Sequence, residues 1–455
     1  MAWHMNCIHR SVRNGGRRVP GKLLKDPSIM RAKATKTRII PGTLMVTALM
    51  LSAPLFADTL SVEQAVQIAK DRNPDISNLR HQMLAAEAQA RQALAPQDPS
   101  VSASYNDMNQ AFNPSTDGSQ VFGISQSFTF PGKAVLNWSA GRDQAKSLRA
   151  QMRSTELGVA GTVKGAYYQL ALARKNVDLN KEQEQILEQI VSIVKRRYEA
   201  GSVTEVDVAN AQMNQYTNQM SLADLVLAEK TAQAQLNVLL GHPAEDELAV
   251  EPLPDPSTVP AVDRATAEAK MNASNPQIQS NAFLASQARK NLALAWMGLL
   301  PDFQVGVSDN QYYPLHPNYA SSPLIQTHSL DVSANIPLWF LFNESQNIVS
   351  STHSSDAAQA GLDSQREQSE TALFTAVDTL EDNAAKLALY KDHMLPLSEV
   401  TLKLALINYG TGKIQFEDLA AAAAGLWSNR SSYFTLLASY INEYNQYGQL
   451  IGEEL

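Results

Sequence analysis

The chain is written twice, and that duplication constrains its fold more than any other feature. The stretch YEAGSVTEVDVANAQ, Tyr198 to Gln212, lies on NYGTGKIQFEDLAAA, Asn408 to Ala422. Tyr198 then meets Tyr409, Gly201 meets Gly412 and Asp207 meets Asp418, each pair 211 residues apart. Asn73 pairs with Asn275 and Pro99 with Pro301 at an offset of 202, and Gly241 with Gly452 at 211. Agreement in order along so much of the chain marks an internal repeat whose copies drifted by small insertions. The repeat divides the chain into residues 1–57, a first unit 58–241, a Pro-rich linker 242–262 and a second unit 263–455.

Each copy runs in the same order. A helical segment (about 61–97 and 263–298) precedes two short alternating segments, with strands expected near 99–109, 120–131, 301–311 and 327–337. Phe122, Ile124 and Phe128 alternate with Gly123, Ser125 and Ser127, and Leu330, Val332 and Ala334 with Asp331 and Ser333. Period two with one apolar face is a strand wetted on one side. A helical run follows (135–200 and 345–410), then a Gly turn and a last helix. Val206, Met213, Met220 and Leu227 recur every seven residues, as do Leu419, Leu426, Tyr433, Tyr440 and Tyr447. Sustained sevens argue for coiled-coil packing of long antiparallel helices, with these residues, Met213 and Met220 included, in its core.

The N-terminus reads as targeting. Arg31, Lys33, Lys36 and Arg38 precede the apolar TLMVTALMLSAPLFA, which is a secretory signal peptide cut after Ala57 and too short to span a bilayer. Residues 1–29 resemble neither a targeting signal nor a domain. Residues 1–57 hold ten Lys/Arg and one acid; taking these from the totals of 37 and 45 leaves 27 basic and 44 acidic residues, a net charge of −17. Such a body repels phosphate backbones, so no nucleic-acid partner is expected. The single cysteine, Cys7, rules out a disulfide framework or a Cys-based zinc site. Six histidines beyond residue 57 form no HxxxH or HExxH pair, and there is no GxSxG or Walker loop. No catalytic residues, cofactor or metal site are expected, and the chain is not read as an enzyme.

The four strands match segments that cross a bilayer at a tilt. An open sheet cannot sit in lipid, so several chains must close it: two copies give 8 strands and three give 12. Trp339, Phe340 and Phe342 follow the last strand, where an aromatic girdle would lie, and Tyr312, Tyr313 and Tyr319 fall in the opposite loop. The competing reading is a half-buried soluble sheet.

These residues carry a family resemblance. The signal peptide, the duplicated helix–strand–strand–long helix–short helix order, the FTFPGK after the second strand and the two Tyr-x-x-Gly-(x)5-Asp motifs resemble the TolC-type outer-membrane efflux proteins over essentially all of 58–455. The resemblance implies a mainly α fold with a membrane β-barrel: a homotrimer with a 12-stranded barrel, four strands per chain, on a long α-helical coiled-coil tunnel. It implies contact with outer-membrane lipid, a periplasmic adaptor and an inner-membrane pump, and passive conduction of small molecules. The alternative within the same fold is the exit channel of a type I protein secretion system. A periplasmic adaptor or scaffold, which carries one hairpin, and a porin, which lacks such helices, fit less well.

On this reading the repeated motif lies at the helical tip farthest from the barrel. Tyr198, Gly201, Ser202, Val203, Tyr409, Gly412 and Lys413 would dock the adaptor, with Gly201 and Gly412 in the left-handed backbone that closes a helix. Glu205, Asp207, Glu417 and Asp418 would ring the pore mouth and favour cations, although acids in a first turn also complement the helix dipole. In the family, a Tyr and an Asp of the second copy help a basic residue hold the tunnel shut; Tyr409 and Asp418 match them. The arginine position, five after the Tyr, is Ile414 and the second acid position is Ala421, leaving Lys413 as the substitute cation.

Overall fold

An Asn-Pro step breaks the first helical segment of each copy. In the computed structural model, which describes residues 59–106, 119–254, 262–312 and 325–455, helix α1 (Val62–Arg72) gives way to α2 (Pro74–Gln92). The second copy repeats this as α5 (Arg264–Ser274) and α6 (Pro276–Met297). The segments expected as single helices are therefore pairs. Asn73 is held extended by the following proline, and its Oδ1 accepts the Asp75 and Ile76 amides at 2.9 and 3.1 Å. Asn275 caps α6 in the same way.

The strands are β1 (Ser100–Asn106), β2 (Ser119–Phe128), β3 (Asp302–Tyr312) and β4 (Ile325–Asn335), antiparallel in the order β1-β2-β3-β4. The β2–β3 pairing joins the two copies in one sheet, with Ile124 opposite Val307 and Phe128 opposite Phe303. One face carries Val101, Phe122, Ile124, Phe128, Phe303, Val305, Val307, Leu330 and Val332; the other is mainly Ser, Gly, Thr, Asn and Gln. Among the described residues, none of the hydrophobic clusters contains a strand residue. The apolar face is uncovered, which argues against a half-buried soluble sheet. At the base of the sheet the Phe130 amide and Lys133 Nζ both donate to Asp302 Oδ1, at 2.7 and 2.9 Å, so the FPGK turn of copy one is pinned to the start of β3 in copy two.

Helix α3 (Lys133–Glu199) runs unbroken for 67 residues, about 100 Å, and returns as α4 (Glu205–Leu240). In the second copy the long run is interrupted: α7 (Glu344–Leu389) passes through a π-turn at Tyr390–Met394 into α8 (Leu395–Gly410), followed by α9 (Phe416–Ile451). The expectation of one continuous helix over 345–410 is corrected here. Pro396 has no N–H to give and its ring crowds the carbonyl four residues back, and the wider π-turn just before it absorbs that misfit.

Helices α3 and α4 pack on each other, α3 packs on α9, and α9 on α8. The layer therefore has the order α4–α3–α9–α8. A buried amide pair sets the α3/α4 register: Asn180 Nδ2 donates to Asn218 Oδ1 at 2.9 Å, and Asn218 Nδ2 to Glu184 Oε2 at 2.8 Å. Burial opposes the Glu184 charge, but amide donors from Gln219, Asn218 and Gln215 hold its carboxyl below the usual range. The two heptad stripes part company. Leu419, Leu426, Tyr433, Tyr440 and Tyr447 are buried as expected. Val206, Met213, Met220 and Leu227 are 64–73% exposed. They do not belong to the chain's own core, because α4 is an outer member of the layer and turns this face away from α3. Among the described residues no helix is long and apolar enough to cross a membrane, which says nothing of the strands.

Candidate functional site

The repeated Tyr-x-x-Gly-(x)5-Asp motif is one complete helix-to-helix turn. Gly201 takes φ 67° and Gly412 φ 78°. The Gly201 amide donates to the Tyr198 carbonyl (2.8 Å) and the Ser202 amide to the Arg197 carbonyl (2.8 Å). The twin bonds run from Gly412 to Tyr409 (3.0 Å) and from Lys413 to Asn408 (2.9 Å). This is the Schellman arrangement, which satisfies the last carbonyls of a helix through a left-handed residue, so glycine is required there.

The acid of the motif then starts the next helix. Asp207 Oδ2 accepts the Thr204 amide at 2.9 Å, while the Thr204 hydroxyl accepts the Asp207 amide at 3.3 Å. Asp418 Oδ2 accepts the Gln415 amide at 3.3 Å. A carboxylate three residues inside a helix and reaching back to its cap is a capping box. The spacing of the motif is thus the length of a closing turn plus an opening one. Glu205, Glu417, Asp418 and Lys413 are exposed at the tips, and Val203 packs against the tip core.

The two tips are not equivalent. Tyr198 is 45% exposed, whereas Tyr409 is 1% exposed, packed edge-on against Phe416 with ring centroids 6.3 Å apart. Arg197, which the sequence reading passed over, joins them. Its Nη1 donates to the Tyr409 carbonyl at 2.7 Å and its guanidinium lies 4.6 Å from the centre of the Tyr409 ring. Burial pushes the Tyr409 hydroxyl above the usual tyrosine range, against the pull of the Arg197 charge. Ile414, in the family's arginine position, packs against the tip core instead. The cation beside Tyr409 is therefore supplied by the other copy of the repeat. Its signal in the sequence was a base adjoining the first motif tyrosine, legible only once the tips are known to meet. A groove of about 480 Å³ runs between the tips, lined by Arg196, Arg197, Ala200, Ser202, Thr411 and Gly412. Among the described residues no three His, Cys, Asp or Glu side chains come together to hold a metal ion.

An Arg197→Met exchange removes the charge-assisted bond between the tips. Such bonds contribute about 1.5–3 kcal/mol, so the tips are expected to part more often, and the Thr411 and Gly412 amides to exchange hydrogen about tenfold faster with helix content unchanged. An unaltered exchange rate would remove Arg197 from the contact that holds the tips together.

A sheet with an uncovered apolar face, continuous with long helical hairpins, is an architecture suited to a membrane-channel subunit. Residues 65–242 match the family model described as outer membrane efflux protein. The cobalt-zinc-cadmium resistance protein CzcC of Cupriavidus metallidurans is 22% identical over 409 residues, 87% of this chain and 90% of that protein. The crystal structure of CusC superposes with a TM-score of 0.73 at 14% identity, covering 88% of this chain and 93% of that one. VceC of Vibrio cholerae gives 0.70 at 15%, covering 86% and 96%. Residues 65–242, the first copy of the repeat, are thus similar to the outer membrane efflux proteins, and the chain as a whole shares the fold of the CusC and VceC proteins.

Proposed function

We propose that three copies of this chain close into the exit duct of a tripartite efflux pump. One observation carries the reading: among the described residues, both the sheet and the helical layer end in unpartnered edges. The sheet stops at β1 and β4. The helical layer stops at α4, with its exposed Val206, Met213, Met220 and Leu227, and at α8, where Leu397, Val400, Leu404 and Ile407 are 52–67% exposed. Two apolar stripes on opposite edges suit a head-to-tail ring, α4 of one copy on α8 of the next.

Three copies fit better than two. An eight-stranded barrel has an interior just filled by side chains, and the Ser- and Gly-rich polar face here is too small to fill one. Three chains give 12 strands around a wet lumen and bring six tips to one mouth. Those tips, with the groove beside Gly412, are the seat for a periplasmic adaptor, which links the duct to an inner-membrane pump. Glu205, Asp207, Glu417 and Asp418 would then ring the mouth. The relative named for resistance to cobalt, zinc and cadmium supports efflux of small solutes over protein secretion.

Light scattering on the detergent-extracted protein, corrected for bound detergent, is expected to return the mass of three chains. A monomer would overturn the ring. Pull-down with co-expressed adaptors then separates efflux from secretion.

A further inference from the structure

The strand-bearing parts of both copies contain neither Lys nor Arg. From Gln92 to Gly132, 41 residues, there is neither Lys nor Arg, and three Asp (Asp98, Asp107, Asp117). From Asn291 to Gln365, 75 residues, there is again neither, and six acids. Lys and Arg are otherwise frequent in this chain, at 37 in 455 residues.

Sheet register decides which of these acids faces the polar side. Asp309 lies on the apolar face, where its carboxylate accepts from Gln311 and Gln326 and sits 3.2 Å from His328 Nδ1. Asp302 faces the polar side but is paired with Lys133 at 2.9 Å. Asp331 also faces the polar side, in the row Ser100–Ser125–Gly306–Asp331 that crosses all four strands. It is exposed, and the one hydrogen bond it accepts among the described residues comes from the Ser308 hydroxyl at 3.3 Å. Apart from Asp302, whose charge Lys133 answers, every other side chain of that face in the four strands is uncharged, and a serine or glycine occupies each neighbouring position of the row.

We propose that Asp331 is a selectivity-determining residue of the outer duct: with no cation opposite it, it gives the barrel lumen a negative potential that favours cationic solutes and repels anions. The inference rests on the duct reading above, which makes the polar face luminal. No ion is held at Asp331, since one carboxylate per chain is not a coordination site. It acts as fixed charge, effective over the Debye length of about 8 Å at physiological salt and about 30 Å at 0.01 M. The tip acids would charge the periplasmic mouth with the same sign, so the duct would select cations at both ends, and the substrate class it suits is cationic.

Ser333 tests this without requiring passage through the tips. It lies two residues from Asp331 on the same face, about 7 Å away. Ser333→Cys is made in a Cys7→Ser background, and outer-membrane vesicles are treated with trimethylammonioethyl or sulfonatoethyl methanethiosulfonate. The cation-to-anion ratio of reaction rates is expected to fall about fivefold on adding Asp331→Asn in 10 mM salt, and the difference to close in 1 M salt. An unchanged ratio at low salt would overturn the proposal while leaving the duct intact. A thiol that reacts with neither reagent would mean the polar face is not luminal, and the duct reading would fall with it.

Discussion

Met213→Glu combined with Met220→Glu is expected to leave the protein monomeric. Both methionines stand on the α4 edge, exposed in the single chain, with no groove of their own chain to receive them. In a ring each would be covered by the neighbouring copy. A carboxylate placed there must shed water without a partner, at a penalty of several kcal/mol per ion, repeated at every interface. The opposite face of α4 keeps Ala211, Ala232, Leu236 and Leu240 buried, so helix content by circular dichroism should hold. Met213→Leu with Met220→Leu should assemble normally. If the Glu pair still scatters as a trimer, α4 is not the closing edge.

The second large effect is expected at Asp143. This carboxylate, 4% exposed on α3, accepts from Lys290 Nζ and Ser286 Oγ of α6, both at 2.5 Å. Truncation to Ala leaves the ammonium of Lys290 without its counter-charge, and breaking a buried pair this way costs about 3–5 kcal/mol. Thermal melting of the helical layer should drop accordingly, with Asp143→Asn in between. The pH dependence has a definite sign. Burial works against the Asp143 charge, yet the Lys290 and Ser286 bonds outweigh it and hold the carboxyl below the usual range. Its stabilisation is then complete above the unfolded value of about 4 and is lost as pH falls through the lower folded value. The gap between wild type and Asp143→Ala should narrow only below pH ~4. A gap constant from pH 7 to pH 2 would show that Asp143 acts by shape rather than charge.

The duplication made most of the fold legible: repeat order, strand faces and tip turns follow from Gly201, Gly412 and the alternating segments. What the sequence withheld has physical causes. The period of Val206, Met213, Met220 and Leu227 says that a face is covered but not by whom, and the cover lies outside the chain. The breaks at Pro74 and Pro276 were hidden because helical character resumes at once on both sides. The π-turn at Tyr390–Met394 was signalled only by Pro396, which does not show from spacing alone whether the helix ends, kinks or widens there. Arg197 was invisible because its partner, Tyr409, lies 212 positions along in the other copy. Asp207 and Asp418 were read as pore-mouth acids, and both also close capping boxes, a role set by backbone geometry that a spacing alone does not display.

The unequal burial of Tyr198 and Tyr409 has a consequence for symmetry. Six tips descended from one ancestral unit invite the picture of a sixfold rim. One kind bears an open aromatic ring, and the other has its ring folded inward beneath the guanidinium of Arg197. Around the mouth of a three-chain ring they would alternate, so a six-membered partner would meet two kinds of seat in ABABAB order. A substitution at Tyr198 would then alter three seats and leave three untouched, a half-dose that no residue of a truly sixfold rim can deliver.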